Sequence, residues 1–149
     1  MIQTSTSCPL CTPSSEQVLW SDAQFRVIGV NDDQHPGLVR LISQAHVAEV
    51  SDLSASAQTR MFALLVGIES AMRQMLSPDK VNLASLGNQV PHLHWHIIPR
   101  WKDDLFFPDS IWSAPKRSPA ETFAQAAHTD RMAKAETFWK EIPRICKAL

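Results

Sequence analysis

Short apolar runs and one long helical pattern divide this chain into elements. Runs rich in β-branched and aromatic residues predict strands at 17–20, 25–30, 38–42 and 80–86, and a fifth strand starts at His92. Start signals at 51–54 and a stop signal at Ser77-Pro78 bracket a predicted helix between the third and fourth strands. The pattern predicts an α+β fold with one helix across a sheet of about five strands. Apolar residues at intervals of three and four mark the buried stripe of that helix: Met61, Leu64, Leu65, Ile68, Met72 and Met75.

The last third of the chain has a different pattern. Residues 100–119 carry prolines and aromatic side chains without a regular period, which predicts an irregular segment packed over the sheet or on a partner. The run Ser118-Pro119-Ala120-Glu121 is a capping box with proline at the first helical position, so it predicts a helical tail over 118–149. Pro143 is expected to end or kink this helix.

Composition narrows the function classes. The chain has 149 residues, 44% of them hydrophobic and 19% charged, as expected for one soluble globular domain with a single core. A net charge of −1 provides no electrostatic attraction for nucleic acid. No apolar stretch is long enough to span a membrane. Because the low charge disfavours a polymer substrate, we expect a small-molecule partner. With three cysteines and no basic-then-apolar leader, we expect a cytoplasmic protein.

Three histidines stand at every second position in the fifth predicted strand, at His92, His94 and His96. Because side chains alternate across a strand, this spacing predicts all three imidazoles on one face. The spacing alone fits either a metal clamp or a phosphate site with a nucleophilic ring. The preceding polar turn, Gly87-Asn88-Gln89, supplies amides and backbone N–H groups that bind phosphate oxygens, so it favours phosphoryl or nucleotidyl chemistry.

A neutral imidazole can attack phosphorus at pH 7, because its ordinary pKa of about 6.5 leaves most rings unprotonated. A hydrogen bond from one ring nitrogen to a backbone carbonyl would fix the tautomer and aim the lone pair of the other. A protonated neighbour would offset the charge that builds on the phosphate and protonate the leaving group. This scheme requires no metal for catalysis.

The run His92-Leu93-His94-Trp95-His96-Ile97-Ile98 resembles the signature of the histidine triad (HIT) hydrolases and transferases, which is His-x-His-x-His followed by apolar residues. Segments 86–91 and 99–101 resemble a bacterial branch, and a weaker resemblance extends from about Cys8 to Trp112. The resemblance implies a HIT domain at 1–117 with a strongly bent antiparallel sheet, and a helical extension at 118–149 packed on the same domain. It also implies a homodimer formed by joining the sheets.

The resemblance also implies roles for individual residues. His94 would attack the α-phosphorus of a nucleoside phosphate and form a covalent nucleotidyl-histidine that water hydrolyses, with His96 assisting the leaving group and His92 in support. Asn31 or Asp32 would bind ribose hydroxyls, although both are equally well explained as ordinary turn residues. The chain departs from the family at Pro36-Gly37-Leu38, where a histidine usually replaces the leucine. The implied phosphate contacts are Gln89, Asn88 and Ser85.

Cys8-Pro9-Leu10-Cys11 is a second motif with chemical content. A Cys-x-x-Cys pair is half of a tetrahedral zinc site, but the same spacing also fits two reduced thiols or a disulfide. The family resemblance implies that His46 and His92 would complete a structural zinc site, which would remove His92 from the chemistry.

Two hypotheses for the function follow. The first is a nucleotide hydrolase or transferase that acts on nucleoside phosphoramidates or dinucleoside polyphosphates through a nucleotidyl-histidine. The second is a zinc-stabilised nucleotide-binding or interaction protein without significant turnover. The presence of His94, His96 and Gln89 favours the enzyme.

Overall fold

Five antiparallel strands and two long helices make up the fold in this computed structural model, which describes Ser5 and residues 7–149. In chain order the elements are β1 (Gln17–Ser21), β2 (Phe25–Gly29), β3 (Val39–Ser43), α1 (Ala55–Leu76), β4 (Lys80–Ala84), β5 (His94–Arg100) and α2 (Gln125–Lys147). The strands form one open sheet in the order β1-β2-β3-β5-β4, and α1 connects β3 to β4. The predicted α+β class with a covering helix and a helical tail is confirmed.

One face of the sheet forms the core with both helices. Val27, Leu41 and Ile97 share this face because side chains alternate along a strand, and each is at most 1% exposed. Burial of a large apolar side chain contributes about 1.5–3 kcal/mol, so the apolar stripe of α1 holds the helix on the sheet. Of its six predicted residues, Met75 is partly buried against the core and five are fully buried: Met61, Leu64, Leu65, Ile68 and Met72.

The two ends of α1 follow the signals in the sequence. Ser54 is the N-cap, and its hydroxyl accepts a hydrogen bond from the backbone N–H of Ala57 at 3.2 Å. Ser77 is the C-cap and adopts the left-handed conformation, with φ of 50°. Pro78 follows and cannot continue the helix. The predicted stop at Ser77-Pro78 is confirmed, and Ser54 is the start signal that the helix uses.

The predicted start of the C-terminal helix at Ser118 is wrong. The capping box between Ser118 and Glu121 forms, but it caps only one 3-10 turn, Pro119–Glu121. The backbone is extended at Thr122, which ends that turn, and α2 begins at Gln125. A capping box satisfies the first backbone N–H groups of a turn whatever the length of the helix that follows, so the motif could not fix that length.

Of the two outcomes expected at Pro143, an end or a kink, the helix does not end there, because α2 continues to Lys147. Ile142 and Cys146 lie on either side of Pro143, and both are fully buried in the core. Their packing against the rest of the fold outweighs the one helical hydrogen bond that a proline removes. Within the described part of the chain, no helix combines the length and the apolar character that a membrane crossing needs.

Residues 101–118 form an irregular segment that Asp104 ties to the end of β5. The Asp104 side chain is fully buried and accepts hydrogen bonds from Arg100 Nε at 2.8 Å and Nη2 at 3.1 Å. It also accepts the backbone N–H groups of Phe106 and Phe107. Burial alone would raise the pKa of Asp104, but the nearby His35 ring and the hydrogen bonds from Arg100 hold this pKa well below its usual range. Asp104 is therefore charged and fixes the segment in place.

His35 connects the turn after β2 to this segment. Its ring is fully buried, with Nδ1 at 3.2 Å from Asp32 Oδ1 and Nε2 at 3.6 Å from Asp104 Oδ2. Burial alone would lower the pKa of His35, but the carboxylates of Asp104 and Asp32 raise this pKa above its usual value. The imidazole thus joins two loops that are far apart in the chain.

We predict that His35→Gln destabilises the protein more at pH 6 than at pH 8.5. The raised pKa of His35 means that its contribution is fully present below the unfolded value of 6.5 and is lost as the pH rises through the folded value. The expected loss at pH 6 is about 2 kcal/mol, the size of a hydrogen bond to a charged group. Urea unfolding at both pH values measures it.

His128→Gln is the matched control, because His128 is half-buried on α2 without an acidic partner among the described residues, and a glutamine amide can still donate to the Asp33 carbonyl that the His128 ring contacts at 3.1 Å. Its effect on the free energy of unfolding should be small at both pH values. An equal loss for His35→Gln at pH 6 and pH 8.5 would contradict the ion-pair explanation.

Candidate functional site

A cleft of about 540 Å³ opens on the face of the sheet opposite the helices, beside the loop that joins β4 to β5. The loop forms one wall of the cleft, and β3 and β5 form its floor. In the β3–β5 ladder Arg40 lies directly opposite His96, and Ile42 lies opposite His94. The lining residues are Arg40, Leu86, Gly87, Asn88, Gln89, Val90, His94, His96, Ser110 and Trp112.

Two hydrogen bonds hold His94, one from its ring and one to its backbone carbonyl. Its Nδ1–H donates to the carbonyl oxygen of His92 at 2.6 Å, and its own carbonyl accepts the hydroxyl of Ser85 at 2.9 Å. A carbonyl can only accept, so Nδ1 carries the proton and Nε2 carries the free lone pair. The ring therefore has the tautomer and the fixed orientation that a nucleophile needs.

His96 is buried beside His94, and its ring contacts two aromatic neighbours edge-on. The ring centroids are 5.1 Å from His94 and 5.0 Å from Trp112. Burial, together with the positive charge of Arg40 and the proximity of His94, lowers the pKa of His96 to about 4. His96 is thus neutral at pH 7 in the free protein and is not the protonated neighbour that we expected next to the nucleophile.

Arg40, and not a protonated histidine, places a positive charge beside His96 in the cleft. Its Nε is buried without a hydrogen-bond partner. Burial lowers the pKa of the guanidinium, and the charge of Glu16 opposes this effect. An arginine remains protonated at neutral pH even when its pKa falls. Sequence reasoning missed this residue, although its position in the run Val39-Arg40-Leu41-Ile42 was a signal, since it places a charge inside an apolar strand.

The predicted substrate contacts lie in different places. Gln89 and Asn88 line the cleft and are exposed, whereas Ser85 binds the backbone of His94. Asn31 lies along a neighbouring groove that Arg40 also borders. Asp32 does not line either space and caps its own turn, accepting hydrogen bonds from the backbone N–H groups of Gln34 and His35.

His92 precedes β5 and turns away from the cleft into a cluster with Cys8, Cys11 and His46. The prediction that all three histidines share one strand face is wrong for His92, because residues 91–93 form a bend before the strand starts. The potential ligand atoms of the four residues all lie within 4.8 Å of one another. The cysteines form no disulfide.

The cluster fits a tetrahedral metal ion. The Sγ–Nδ1 distances are 3.4 Å for Cys8–His92, 3.5 Å for Cys11–His92 and 3.3 Å for Cys11–His46, and the two Nδ1 atoms are 3.3 Å apart. Tetrahedral zinc with Zn–N of about 2.0 Å and Zn–S of about 2.3 Å separates its ligands by about 3.3–3.8 Å. His92 Nε2–H donates to the Ser43 carbonyl at 2.8 Å, which leaves Nδ1 free to coordinate. The four residues can therefore hold a metal ion.

Comparison with known proteins gives one curated relative and several solved structures. A bis(5'-nucleosyl)-tetraphosphatase (asymmetrical) from Schizosaccharomyces pombe is 32% identical over 83 residues, which are 52% of this chain and 46% of the relative. The match thus spans less than half the length of that relative. A histidine triad protein from Marinobacter aquaeolei VT8 superposes with a TM-score of 0.67 at 24% identity, covering 95% of this chain and 98% of the other.

Two further structures show the same fold. A histidine triad protein from Bradyrhizobium japonicum has a TM-score of 0.63 at 22% identity, covering 81% of this chain and 90% of the other. A Zn-bound histidine triad family protein from Mycobacterium smegmatis has a TM-score of 0.54 at 20% identity, covering 88% and 94%. The model of the HIT domain matches residues 12–103, which is well over half of the sequence. The triad, the five-stranded sheet and this match together place the chain in the HIT domain family.

Proposed function

We propose that this protein is a nucleotide hydrolase or transferase that attacks the α-phosphorus of a nucleoside phosphate conjugate with His94. The observation that carries the proposal is the 2.6 Å hydrogen bond from His94 Nδ1 to the His92 carbonyl, which leaves Nε2 as the reactive nitrogen of a ring that lines the cleft. The name of the Schizosaccharomyces pombe relative, a dinucleoside tetraphosphatase, supports the same reaction class.

The reaction would proceed in two steps. His94 Nε2 forms a bond to the α-phosphorus while the bond to the leaving group breaks, and the electron pair of that bond stays on the leaving group. Water then attacks the nucleotidyl-histidine, which releases the nucleoside monophosphate and a proton and regenerates the neutral ring. Asn88 and Gln89 donate amide N–H groups from the wall of the cleft to the phosphate oxygens. Because protein groups supply the charge and the donors, the scheme requires no metal ion in the cleft.

We predict that His94→Ala abolishes AMP release from both diadenosine tetraphosphate and adenosine 5'-phosphoramidate. Loss of the nucleophile should lower kcat by at least about 10⁴-fold, as for other enzymes that act through a covalent intermediate. Chromatographic measurement of AMP checks this, with His128→Ala as a control outside the cleft. If the folded wild-type protein releases no AMP from either compound, the alternative of a nucleotide-binding protein without turnover replaces the proposal.

We also propose that Cys8, Cys11, His46 and His92 hold a structural zinc ion. Two thiolates and two imidazoles are the ligand set of many structural zinc sites, and the measured spacing of the four ligand atoms suits a tetrahedron. A Zn-bound member of the fold from Mycobacterium smegmatis supports the choice of metal. The ion would fasten the N-terminal segment to the sheet, since its ligands come from three separate parts of the chain.

We expect the purified protein to contain one zinc ion per chain, and Cys11→Ser to lose it. A chelator should lower the thermal midpoint of the wild type and leave that of Cys11→Ser unchanged, because the variant has no ion to lose. Elemental analysis and thermal unfolding provide the two readouts. Cys146→Ala is the control, because Cys146 lies on α2 outside the cluster. A wild type that binds no more zinc than a Cys8→Ala/Cys11→Ala double variant would refute the site.

We propose that residues 118–149 are an extension of the HIT domain rather than a separate unit. The family match ends at residue 103, yet α2 supplies four fully packed core residues, Ala135, Phe138, Ile142 and Cys146. The extension and the domain thus share one core.

We further propose that two copies of the chain form a dimer along β4. This strand is an edge of the sheet, and its neighbourhood exposes apolar side chains: Leu83 is 42% exposed, and Phe62 and Val66 on α1 are 48% and 62% exposed. Phe62 contacts Trp95 edge-on, which makes the patch continuous with the sheet. An open edge beside an apolar surface favours pairing with a second copy.

We predict that the double variant Val66→Lys/Leu83→Lys is monomeric and that the wild type is dimeric in light scattering. Two desolvated charges would prevent burial of the patch. Val18→Lys, on the opposite edge strand β1, is the matched control because Val18 is 51% exposed, and it should remain dimeric. A monomeric wild type, or dissociation of the Val18→Lys variant alone, would show that β4 is not the interface.

A further inference from the structure

Three arginines share the face of the sheet that carries His94 and His96, and two of them have carboxylate partners. Arg26 binds Glu16 through Nε and Nη2 at 2.8 Å and 2.9 Å. Arg100 binds Asp104 through the same two nitrogens. The third is Arg40, which lies opposite His96 and forms no ion pair with any residue that the structure describes.

Arg40 is thus the one arginine on this face for which the described part of the protein provides no anion. Its Nε is buried without a hydrogen-bond partner, and Glu16, whose charge raises the pKa of Arg40, is already bound by Nε and Nη2 of Arg26. A partly buried cation without a partner reduces stability unless a ligand supplies the opposite charge. The position of the guanidinium in the cleft of His94 indicates that the missing anion belongs to the substrate.

We propose that Arg40 binds the phosphate next to the one that His94 attacks, and that it selects substrates whose leaving group is itself a phosphate, the dinucleoside polyphosphates, over phosphoramidates. This inference rests on the proposed function, since it assumes attack by His94. It goes further because it assigns the leaving-group preference to one residue that the triad motif does not contain.

The chemistry of the two leaving groups explains the selection. When His94 Nε2 bonds to the α-phosphorus of a polyphosphate, the bridging P–O bond breaks and its electron pair stays on the departing phosphate, which leaves as a stable anion. A fixed guanidinium neutralises that charge as it develops. A phosphoramidate loses an amine, which needs a proton as the P–N bond breaks, and an arginine cannot give up a proton at neutral pH. His96, which lies opposite Arg40, is neutral at pH 7 in the free protein.

The test compares kcat/KM for diadenosine tetraphosphate and adenosine 5'-phosphoramidate in the full chain and three variants. We expect the wild type to favour the tetraphosphate by more than tenfold. Arg40→Met should lower kcat/KM for the tetraphosphate about 100-fold, which is the effect of losing one preorganised donor at a developing charge. It should lower kcat/KM for the phosphoramidate much less. Arg40→Lys keeps the charge and should retain part of the preference. Arg73→Met is the matched control, because the Arg73 side chain is 69% exposed on α1.

Two readouts separate this role from a structural one. The thermal midpoint of Arg40→Met should equal or exceed that of the wild type, because the substitution removes an unpaired cation. Inorganic triphosphate should raise the thermal midpoint of the wild type and should raise that of Arg40→Met less.

Each unfavourable result has a distinct meaning. Wild-type preference for the phosphoramidate, an equal loss of both substrates in Arg40→Met, or a destabilised Arg40→Met would overturn the role of Arg40 and leave the attack by His94 standing. Absence of AMP release by the folded wild type from either substrate would overturn the proposed function, and this inference with it.

Discussion

The site depends on the hydrogen bond between His94 Nδ1 and the backbone carbonyl of His92. The bond sets the tautomer of His94, the proposed nucleophile, and the carbonyl belongs to a residue whose own side chain is part of the Cys8–Cys11–His46–His92 cluster. Alternation along the strand would have kept His92 beside its neighbours. The bend before β5 instead turns the side chain into the cluster and brings the carbonyl to the ring of His94. One residue thus joins two sites with different chemistry.

The second constraint is the distribution of charge on the histidine face. Carboxylates neutralise Arg26 on β2 and Arg100 on β5. The two arginines also donate to the carbonyls of Leu10 and Asp109, which fastens the N-terminal segment and residues 101–118 to the sheet. Arg40 lies between them and lowers the pKa of His96 to about 4, after the larger effect of burial. In the proposed site, therefore, the nucleophile is a histidine and the cation is an arginine. A guanidinium keeps its charge across the physiological range, whereas an imidazole does not.

Much of this fold could be predicted from the sequence, because the deciding signals are local. The stripe of α1, its caps at Ser54 and Ser77, and the strands all depend on short-range periodicity and on residues that satisfy backbone groups. The length of α2 could not be predicted in the same way. Its path through Pro143 depends on burial of Ile142 and Cys146 against elements distant in the sequence.

The candidate site shows the same division between local and distant information. The triad spacing indicated His94 and His96, and the resemblance to the HIT family pointed to the four cluster residues that the structure brings together. Arg40 was missed because its meaning depends on pairing with β5, more than fifty positions later in the chain. No local pattern distinguishes a strand arginine that has a carboxylate partner from one that has none.

The contribution of α2 to the core has a consequence for how this domain can be cut or recombined. A fragment that stops where the family match ends, at residue 103, keeps every triad histidine but loses Phe138 and Ile142, which lie on the helix that packs against α1 and β1. The surfaces of α1 and β1 that α2 covers would then meet water or another protein. The smallest fragment that keeps this core therefore extends through α2, to Lys147, well beyond the family match, and a chimera must exchange α2 together with the α1 and β1 surfaces that it contacts.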